Sequence, residues 1–243
     1  MTDTEWKGLV AIVTGASRGI GRAITLCLAE RGVDLALVAR HREQLEEVSL
    51  EAERRGGRAL ALALDLAHPD APTQIVERTT ERFGRLDLLI NNAALAYRAP
   101  LEQTDANAFD RLMAVNVRAP LLLCRQALPQ LRKSNRATIV NIASVAAHRG
   151  YSQEGAYAAS KHALLGLTRV LARELQQDGI RVHLVSPGGV QTSMAREMDP
   201  HGDESTRMAP QEVARAVCFL IDSSSHGFVD EIRLRRACAE PSF

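Results

Sequence analysis

Short apolar runs of strand length alternate along the chain with longer amphipathic stretches. The apolar runs predict strands at Leu9–Val13, Leu35–Val38, Ala59–Leu64, Leu86–Ile90, Ala137–Ile142 and Val182–Val185, with a last alternating strand at Phe228–Leu234. The amphipathic stretches predict helices at Gly19–Arg31, about Arg42–Arg55, about Phe109–Lys133 and about Gly155–Gln177, and a late helix that opens at Pro210–Val213. This alternation is typical of βαβ units around a parallel sheet covered on both faces. Because no linker or repeat interrupts the pattern, the sequence predicts one α/β domain over residues 1–243.

Composition and charge narrow the class of protein. Of the 243 residues 46% are hydrophobic and 24% are charged, and the formal net charge of +1 gives no support to nucleic-acid or membrane binding. The four cysteines form no Cys-x-x-Cys pair, so we expect neither a metal site nor a disulfide framework. The start Met1–Lys7 is polar, and no run approaches the roughly 18 apolar residues of a membrane span. We therefore expect a cytoplasmic protein.

A glycine-rich turn follows the first predicted strand and opens the first predicted helix. Gly15, Gly19 and Gly21 are spaced along it. Glycines permit a tight turn and let the backbone approach a pyrophosphate, while a helix N-terminus supplies unpaired N–H groups. The turn therefore predicts a dinucleotide site, although glycines also serve simply to turn a chain.

The residue type at the end of the second predicted strand distinguishes binding of NAD from binding of NADP. An acidic residue there bonds the adenosine ribose of NAD, whereas a basic residue accepts the additional phosphate of NADP. The segment Val38–Arg42 has no carboxylate and three basic residues, Arg40, His41 and Arg42. This favours NADP(H). The alternative is that Arg40 and Arg42 are solvated charges at the start of a helix.

Tyr157 and Lys161 are four residues apart and share one face of a predicted helix. A free tyrosine titrates near pH 10, roughly, and a nearby cation favours its phenolate. Ser144 precedes Tyr157 by thirteen residues. Such residue types can supply hydrogen-bond donors and a poised acid to an oxygen that gains negative charge. Each residue also has a structural alternative to a catalytic role. Ser144 could cap a turn after the fifth strand, and Asn116 could satisfy backbone groups inside a helix.

Taken together and in this order, these motifs resemble the short-chain dehydrogenase/reductase family. The resemblance also includes Asn91–Ala94, Asn116 and Pro187–Gly188, and it extends from about Lys7 to about Leu220. It implies a single-domain doubly wound Rossmann fold, a parallel sheet with helices on both faces, and transfer of hydride between NADP(H) and a carbonyl or secondary alcohol.

The resemblance assigns four catalytic roles. Ser144 would bond the substrate carbonyl oxygen, and Tyr157 would pass it a proton. Lys161 would bond the nicotinamide ribose and lower the pKa of Tyr157, while Asn116 would hold a water that connects Lys161 to solvent.

The resemblance also implies a set of cofactor-binding residues. They are Gly15, Ser17, Arg18, Gly19, Ile20, Gly21, Arg40, Asp65, Leu66, Asn92, Ala93, Ala94, Tyr157, Lys161, Pro187, Gly188, Val190 and Thr192. In the family, the acid of NAD users falls at about Ala39, and Arg18 can reach the same phosphate as Arg40. Ala94 stands where the family usually has glycine. The segment from Pro187 to Thr192 would clasp the nicotinamide carboxamide and begin a substrate lid at about 190–209.

The substrate is not determined by these motifs. A 3-oxoacyl-carrier-protein reductase is the second choice, because Leu95–Pro100 lacks the Arg-Asp pair associated with dedicated fatty-acid reductases. A non-catalytic dinucleotide-binding regulator would be favoured by loss of Tyr157 or Lys161, and both are present. Arg149 and Tyr151 could line the substrate mouth, whereas His148 is expected to be a solvated loop residue.

Three further features concern the lid and the assembly. Met194, Met198 and Met208 fall in or near the predicted lid, where thioethers adapt to apolar substrates, although a surface helix explains them equally well. The ending Glu231–Arg236 replaces the family's usual Gly-Gly pair. Family members pair through the two long helices, so the resemblance implies a homodimer or homotetramer.

Overall fold

Within residues 6–222 and 227–240, which the computed structural model describes, seven parallel strands form one sheet in the order β3–β2–β1–β4–β5–β6–β7. The strands are β1 Val10–Thr14, β2 Asp34–Ala39, β3 Ala59–Ala63, β4 Leu88–Asn91, β5 Thr138–Ile142, β6 Arg181–Pro187 and β7 Glu231–Leu234. The order reverses between β1 and β4. In such a sheet ligands bind beyond the carboxyl ends of the strands, near this reversal.

Helices connect the strands and cover both faces of the sheet. They are α1 Gly19–Ala29, α2 Arg42–Arg54, α3 Ala71–Phe83, α4 Ala106–Met113, α5 Ala119–Leu131, α6 Gly155–Glu174, α7 Ser193–Met198 and α8 Pro210–Asp222. None of the helices in the described part of the chain is long and apolar enough to cross a membrane. Residues 1–5, most of the polar start on which the cytoplasmic expectation partly rests, lie outside the described residues.

The core consists of two apolar layers separated by the sheet. Successive residues of a strand point to opposite faces, so Val13 of β1 packs with α1, α2 and α8, while Ile12 packs with α3 and α5. All five residues of β1 are buried. The continuous apolar strands seen in the sequence are therefore strands buried on both faces, and the prediction of a doubly wound α/β domain is confirmed.

Most predicted elements are present, with small shifts at their ends. The helix predicted at about Phe109–Lys133 starts earlier, because Asp105 caps α4 by accepting a hydrogen bond from the Ala108 N–H at 2.7 Å. It also contains a π-helical turn at Ala114–Arg118, between α4 and α5. Helix α3 was not predicted. Its buried face includes Ala71, Pro72 and Thr79 beside two large apolar residues, so its periodicity is weak in the sequence.

Candidate active site

A cavity of about 650 Å³ lies across the carboxyl ends of the strands. It is lined by segments that follow every strand from β1 to β7, as expected for a fold of this topology. All eighteen predicted cofactor-binding residues line it, and so do Ser144 and Ala39. Of the predicted site residues only Asn116 does not.

The glycine-rich turn forms one wall of the cavity. Gly15 and Gly19 have positive φ values of 66° and 55°. A Cβ atom on Gly21 would lie 2.1 Å from the Gly15 carbonyl oxygen, so the turn closes only without a side chain there. Arg18 makes no side-chain cap to α1, and the first turn of this helix lines the cavity with its N–H groups uncapped. A pyrophosphate fits this arrangement, because such N–H groups and the helix dipole favour an anion.

Asn92, which follows β4, holds the glycine turn in place. Its Nδ2 donates to the carbonyl oxygens of Thr14 and Gly15 at 2.8 and 3.3 Å. The Thr14 hydroxyl accepts hydrogen bonds from the N–H groups of Asn92 and Ala93, both at 3.0 Å. Alanine is accommodated at position 94, where the family usually has glycine, because the φ of Ala94 is not positive. Among the described non-glycine residues only Gln153 has a positive φ.

Two exposed arginines lie at the adenosine end of the predicted site. Arg18 and Arg40 line the cavity, and neither guanidinium forms a hydrogen bond or ion pair with another described residue. Arg42, in contrast, does not line the cavity and lies 3.5 Å from Glu46 on the outside of α2. The surface-charge alternative therefore suits Arg42, whereas Arg18 and Arg40 are available to an anion in the cavity.

Asp65, at the end of β3, lines the same part of the cavity. Burial raises the pKa of its carboxyl group, but the Ala67 N–H at 2.9 Å, the Arg111 guanidinium at 2.7 Å and the charge of the nearby Arg40 outweigh this effect. The pKa of Asp65 is consequently below its usual value. Arg111 was not predicted as a site residue, since nothing in its local sequence connects it with β3.

Ser144 and Tyr157 meet at the other end of the cavity. Ser144 follows β5, where its Oγ accepts a hydrogen bond from the Ala146 N–H at 3.1 Å, and it lines the cavity together with Tyr157 of α6. Burial raises the pKa of Tyr157 to about 12; the nearby Ser144 hydroxyl opposes this shift and the Glu154 charge adds to it. The phenol is therefore protonated at neutral pH and able to donate.

Lys161 is buried one helical turn after Tyr157, with 2% of its surface exposed. Its Nζ donates to the Ile142 carbonyl oxygen at 3.0 Å, and burial lowers its pKa to about 8. The pKa of Tyr157 is raised here, because burial of the phenol dominates, and a lowering of this pKa by Lys161 stays a prediction for the enzyme with its cofactor bound. The ammonium group bonds the end of β5.

Asn116 lies in the π-helical turn and is 1% exposed. Its Oδ1 accepts from the Leu95 N–H at 2.7 Å, and its Nδ2 donates to the Leu95 carbonyl oxygen and the Ser160 hydroxyl at 2.9 and 3.0 Å. Both amide hydrogens are thus used within the protein. Asn116 joins the segment after β4 to the residue that precedes Lys161, and π-helical turns are frequent at functional sites.

His148 is not a solvated loop residue, contrary to the expectation. Its Nε2 lies 2.6 Å from a Glu231 carboxylate oxygen and 3.2 Å from the Ser186 hydroxyl, which itself donates to Glu231 at 2.9 Å. The pairing of β6 with β7 brings Ser186 and Glu231 together beneath the turn that follows Ser144. No signal in the sequence around His148 could reveal this contact.

Arg149 and Tyr151 line the cavity as expected for the substrate mouth. The Arg149 guanidinium lies 4.8 Å from the Tyr151 ring centroid, and its Nε donates to the phenol oxygen at 2.6 Å. Helix α7 contributes Met194 and Met198 to the same lining. Met208 does not line the cavity and packs in the core beside Val190.

Arginines from distant parts of the chain also line the cavity and were not predicted. They are Arg98, Arg207, Arg235 and Arg236. Arg207 is buried, and its Nη2 donates to the Asp199 carbonyl oxygen at 2.7 Å. Arg235 and Arg236 are the last two residues of the atypical ending; they follow β7 and lie beside Gly188 and Gly189. Only the folded chain brings these residues together.

Comparison with known proteins agrees with this geometry. A family model described as short chain dehydrogenase matches residues 9–203. The chain belongs to the short-chain dehydrogenase/reductase family. An oxidoreductase of Thermotoga maritima, itself uncharacterised, is 38% identical over 98% of the chain and 94% of its own length. The 3-oxoacyl-[acyl-carrier-protein] reductase of the same organism is 30% identical over 90% of the chain and 92% of its own length.

A solved structure supports the same assignment. The crystal structure of a metagenomic short-chain oxidoreductase in complex with NADP is 37% identical, with a TM-score of 0.84, and the match covers 95% of this chain and 98% of that one. The Rossmann fold and membership of an NAD(P)-binding oxidoreductase family are therefore confirmed. Among the described residues, no group of three or more His, Cys, Asp or Glu side chains is arranged to hold a metal ion.

Proposed function

We propose that the chain is an NADPH-dependent reductase that transfers hydride to the carbonyl group of a small molecule. The observation that carries the proposal is the single cavity that the glycine turn and Arg40 share with Ser144, Tyr157 and Lys161. One end suits a phosphorylated dinucleotide, and the other carries hydrogen-bond donors for an oxygen that gains negative charge. When bound, NADPH supplies the hydride.

Residues of the chain would bind the cofactor, orient the substrate and transfer the proton. Backbone N–H groups at the start of α1 would bind the pyrophosphate, and Arg18 and Arg40 would bind the adenosine phosphate. The Ser144 hydroxyl would orient the carbonyl oxygen of the substrate, and the Tyr157 phenol would donate its proton to that oxygen. Lys161 would bond the nicotinamide ribose and, with a pKa of about 8, could pass a proton toward Tyr157.

The protonation state of Tyr157 suits the role of general acid in the proposed reduction. With a pKa of about 12, the phenol keeps its proton at neutral pH and serves as an acid. Segment 190–209 would act as the substrate lid, and the bond from Arg98 Nη1 to the Met198 carbonyl oxygen at 2.6 Å would hold it against the opposite wall.

A second candidate is a 3-oxoacyl-carrier-protein reductase, the activity named for the Thermotoga maritima relative. Both reactions need the same catalytic residues, and they differ only in the group attached to the carbonyl. A regulator without catalysis is less well supported, because Ser144, Tyr157 and Lys161 all line the cavity.

We also propose that the protein acts in the cytoplasm as a homodimer or homotetramer.

The test is an assay of NADPH oxidation with a panel of ketones, aldehydes and 3-oxoacyl thioesters. Turnover of free ketones or aldehydes, but not of thioesters, supports the first proposal, and the reverse supports the second. The Tyr157→Phe variant serves as the control for each active substrate. If NADPH binds tightly and no carbonyl compound of the panel is reduced, a non-catalytic role is favoured.

A further inference from the structure

Two cysteines lie side by side where α1 packs against α8. The Sγ atoms of Cys27 and Cys218 are 2.7 Å apart, although the residues are separated by 191 positions in the sequence. Cys27 is half-buried, whereas Cys218 is buried. One cysteine of the pair is thus partly accessible from solvent, and the other is buried beside it.

A guanidinium group is bonded to both sulfur atoms. Arg31 Nη1 lies 2.9 Å from the Cys27 Sγ and 3.2 Å from the Cys218 Sγ. The guanidinium is fixed by the Trp6 ring, 5.0 Å from its centroid, and by the Cys27 carbonyl oxygen at 3.2 Å. Such a cation stabilises a thiolate, which is the reactive form of cysteine.

Several groups set the charge of the pair. The hydrogen bond from Cys218 lowers the pKa of Cys27 to about 6; burial opposes this shift, Arg31 adds to it, and the nearby Glu30 charge opposes it. The pKa of Cys218 is raised, by its bond to Cys27 and by burial, with Asp222 of α8 adding to the effect. At neutral pH Cys27 is consequently the thiolate, and Cys218 keeps its proton.

We propose that Cys27 and Cys218 form an oxidation site in which a peroxide converts the two thiols into a disulfide that links α1 to α8. The Cys27 thiolate attacks one oxygen of hydrogen peroxide, the O–O bond breaks, and hydroxide leaves to become water with a proton from solvent. The Cys218 sulfur, on losing its proton, then attacks the resulting sulfenic acid and releases a second water. Two thiols are oxidised and one peroxide is reduced to two waters.

Little movement of the two sulfur atoms is needed to form the disulfide bond. A disulfide has an S–S distance of about 2.05 Å, so the two sulfur atoms need to approach by well under 1 Å from their separation of 2.7 Å. The other cysteines do not share these properties. Cys124 is buried, and burial raises its pKa to about 12, while Cys238 is exposed.

The experiment treats the full chain with hydrogen peroxide and then maps its peptides by mass spectrometry. We expect a peptide pair joined through Cys27 and Cys218, lighter by two hydrogens and split by a reductant. Cys27→Ser and Cys218→Ser should each abolish the cross-link, while Cys238→Ser should leave it intact. In Cys218→Ser the sulfenic acid of Cys27 should be trapped by a dimedone-type reagent. The wild-type map decides the question even if a variant fails to fold.

A second measurement follows the alkylation of Cys27 by iodoacetamide as a function of pH. Its rate should have a midpoint near pH 6, roughly, and at pH 7 it should exceed that of an ordinary exposed thiol about threefold, since the larger thiolate fraction is partly offset by lower nucleophilicity. Overoxidation of Cys27 without a cross-link, a cross-link only between Cys238 residues of two chains, or a midpoint near pH 8.5, roughly, would overturn the proposal. None of these readouts depends on the reductase activity.

Discussion

The ammonium nitrogen of Lys161 lies 5.7 Å from the centroid of the Tyr157 ring. It donates to the Ile142 carbonyl oxygen at 3.0 Å and is almost fully removed from solvent. A cation in this position is costly to bury, and its pKa of about 8 expresses that cost. The buried charge of Lys161 is therefore better explained by a role in catalysis than by a contribution to stability. Active sites commonly contain such locally unfavourable features.

Replacement of Lys161 by methionine should stabilise the fold and abolish turnover. The pKa shift from 10.5 to about 8 corresponds to about 3 kcal/mol that the folded state loses by burying the charge. Below about pH 8 the lysine is charged in both the folded and the unfolded state, so the folded wild type bears the full cost of burying the charge. The gain in the free energy of unfolding of Lys161→Met is therefore largest there. Between about pH 8 and about pH 10.5 the folded wild type has lost the proton while the unfolded chain keeps it, so the stability of the wild type rises with pH.

Urea unfolding of Lys161→Met and the wild type at about pH 7 and about pH 9.5 measures this effect. The difference in the free energy of unfolding should be largest at the lower pH and smaller at the higher one. Lys7→Met, at an exposed position, is the matched control and should show no such pH dependence. A Lys161→Met variant that is less stable than the wild type at both pH values would contradict the assignment of a costly buried charge.

Replacement of Tyr157 by phenylalanine should lower kcat by about a hundredfold or more, the usual scale of general-acid catalysis. The ring is retained, so the affinity for NADPH, followed by fluorescence titration, should change little. Near-normal reduction by the purified variant would show that another group donates the proton. Loss of NADPH binding would instead assign Tyr157 mainly to the cofactor site.

The predicted strands are present because their evidence is local. The buried run Val10–Thr14 has the length and apolarity of a central parallel strand, and the glycine turn after it has a steric requirement that only glycine meets at Gly21. The eighteen cofactor-binding residues were predicted through the family resemblance, which rests on short local motifs. Tyr157 and Lys161, four positions apart on α6, are a case of this kind.

The contacts that sequence reasoning missed are all long-range. His148 reaches Glu231 only because β6 pairs with β7, and Cys27 reaches Cys218 only because α1 packs on α8. The raised pKa of Tyr157 was missed for a related reason. The sequence shows a cation nearby, whereas the degree of burial, which dominates the shift, depends on the complete fold.

Replacement of Gly21 by alanine should disrupt the glycine turn. The new Cβ would lie 2.1 Å from the Gly15 carbonyl oxygen and 2.5 Å from Asn92 Nδ2, so the backbone must shift. We expect a loss of about 1–3 kcal/mol in stability and at least a tenfold loss of NADPH affinity. Gly150→Ala is the control, because its Cβ meets nothing within 4 Å and its φ is not positive. Equal NADPH affinity in the two variants would contradict the role of the turn.

Self-association should occur through α5 and α6, on which Leu121 and Val170 are 44% and 52% exposed. Light scattering of the wild type should give a multiple of the 26.5 kDa chain mass. Leu121→Lys together with Val170→Lys should shift the protein toward the monomer, since the new charges would be buried between chains. Leu50→Lys on α2, where the residue is 53% exposed, is the matched control. A monomeric wild type at micromolar concentration would contradict this prediction.

The cofactor preference depends on Arg18 and Arg40, which line the cavity without a hydrogen bond or ion pair to other described residues. Ala39, the last residue of β2, offers no carboxylate to a ribose hydroxyl. A charge-assisted contact of arginine with phosphate contributes about 1.5–3 kcal/mol when it is well formed. Both side chains are exposed, so solvent reduces this value, and we expect a preference for NADPH over NADH of roughly tenfold to several hundredfold in kcat/KM.

The double change Ala39→Asp with Arg40→Leu should erode or reverse the preference for NADPH, because it removes a cation and adds an anion that repels the phosphate. The measurement is kcat/KM for both cofactors with one working substrate, in the wild type and in the variant. Arg42→Leu is the matched control, since Arg42 lies at the start of α2 beside Glu46 and outside the cavity, and it should leave the ratio unchanged. Equal kcat/KM values for the two cofactors in the wild type, or a preference for NADH, would mean that Arg18 and Arg40 are ordinary surface charges. An equal effect of Arg42→Leu would mean that the preference arises from the general positive charge of this edge and not from contact with the phosphate.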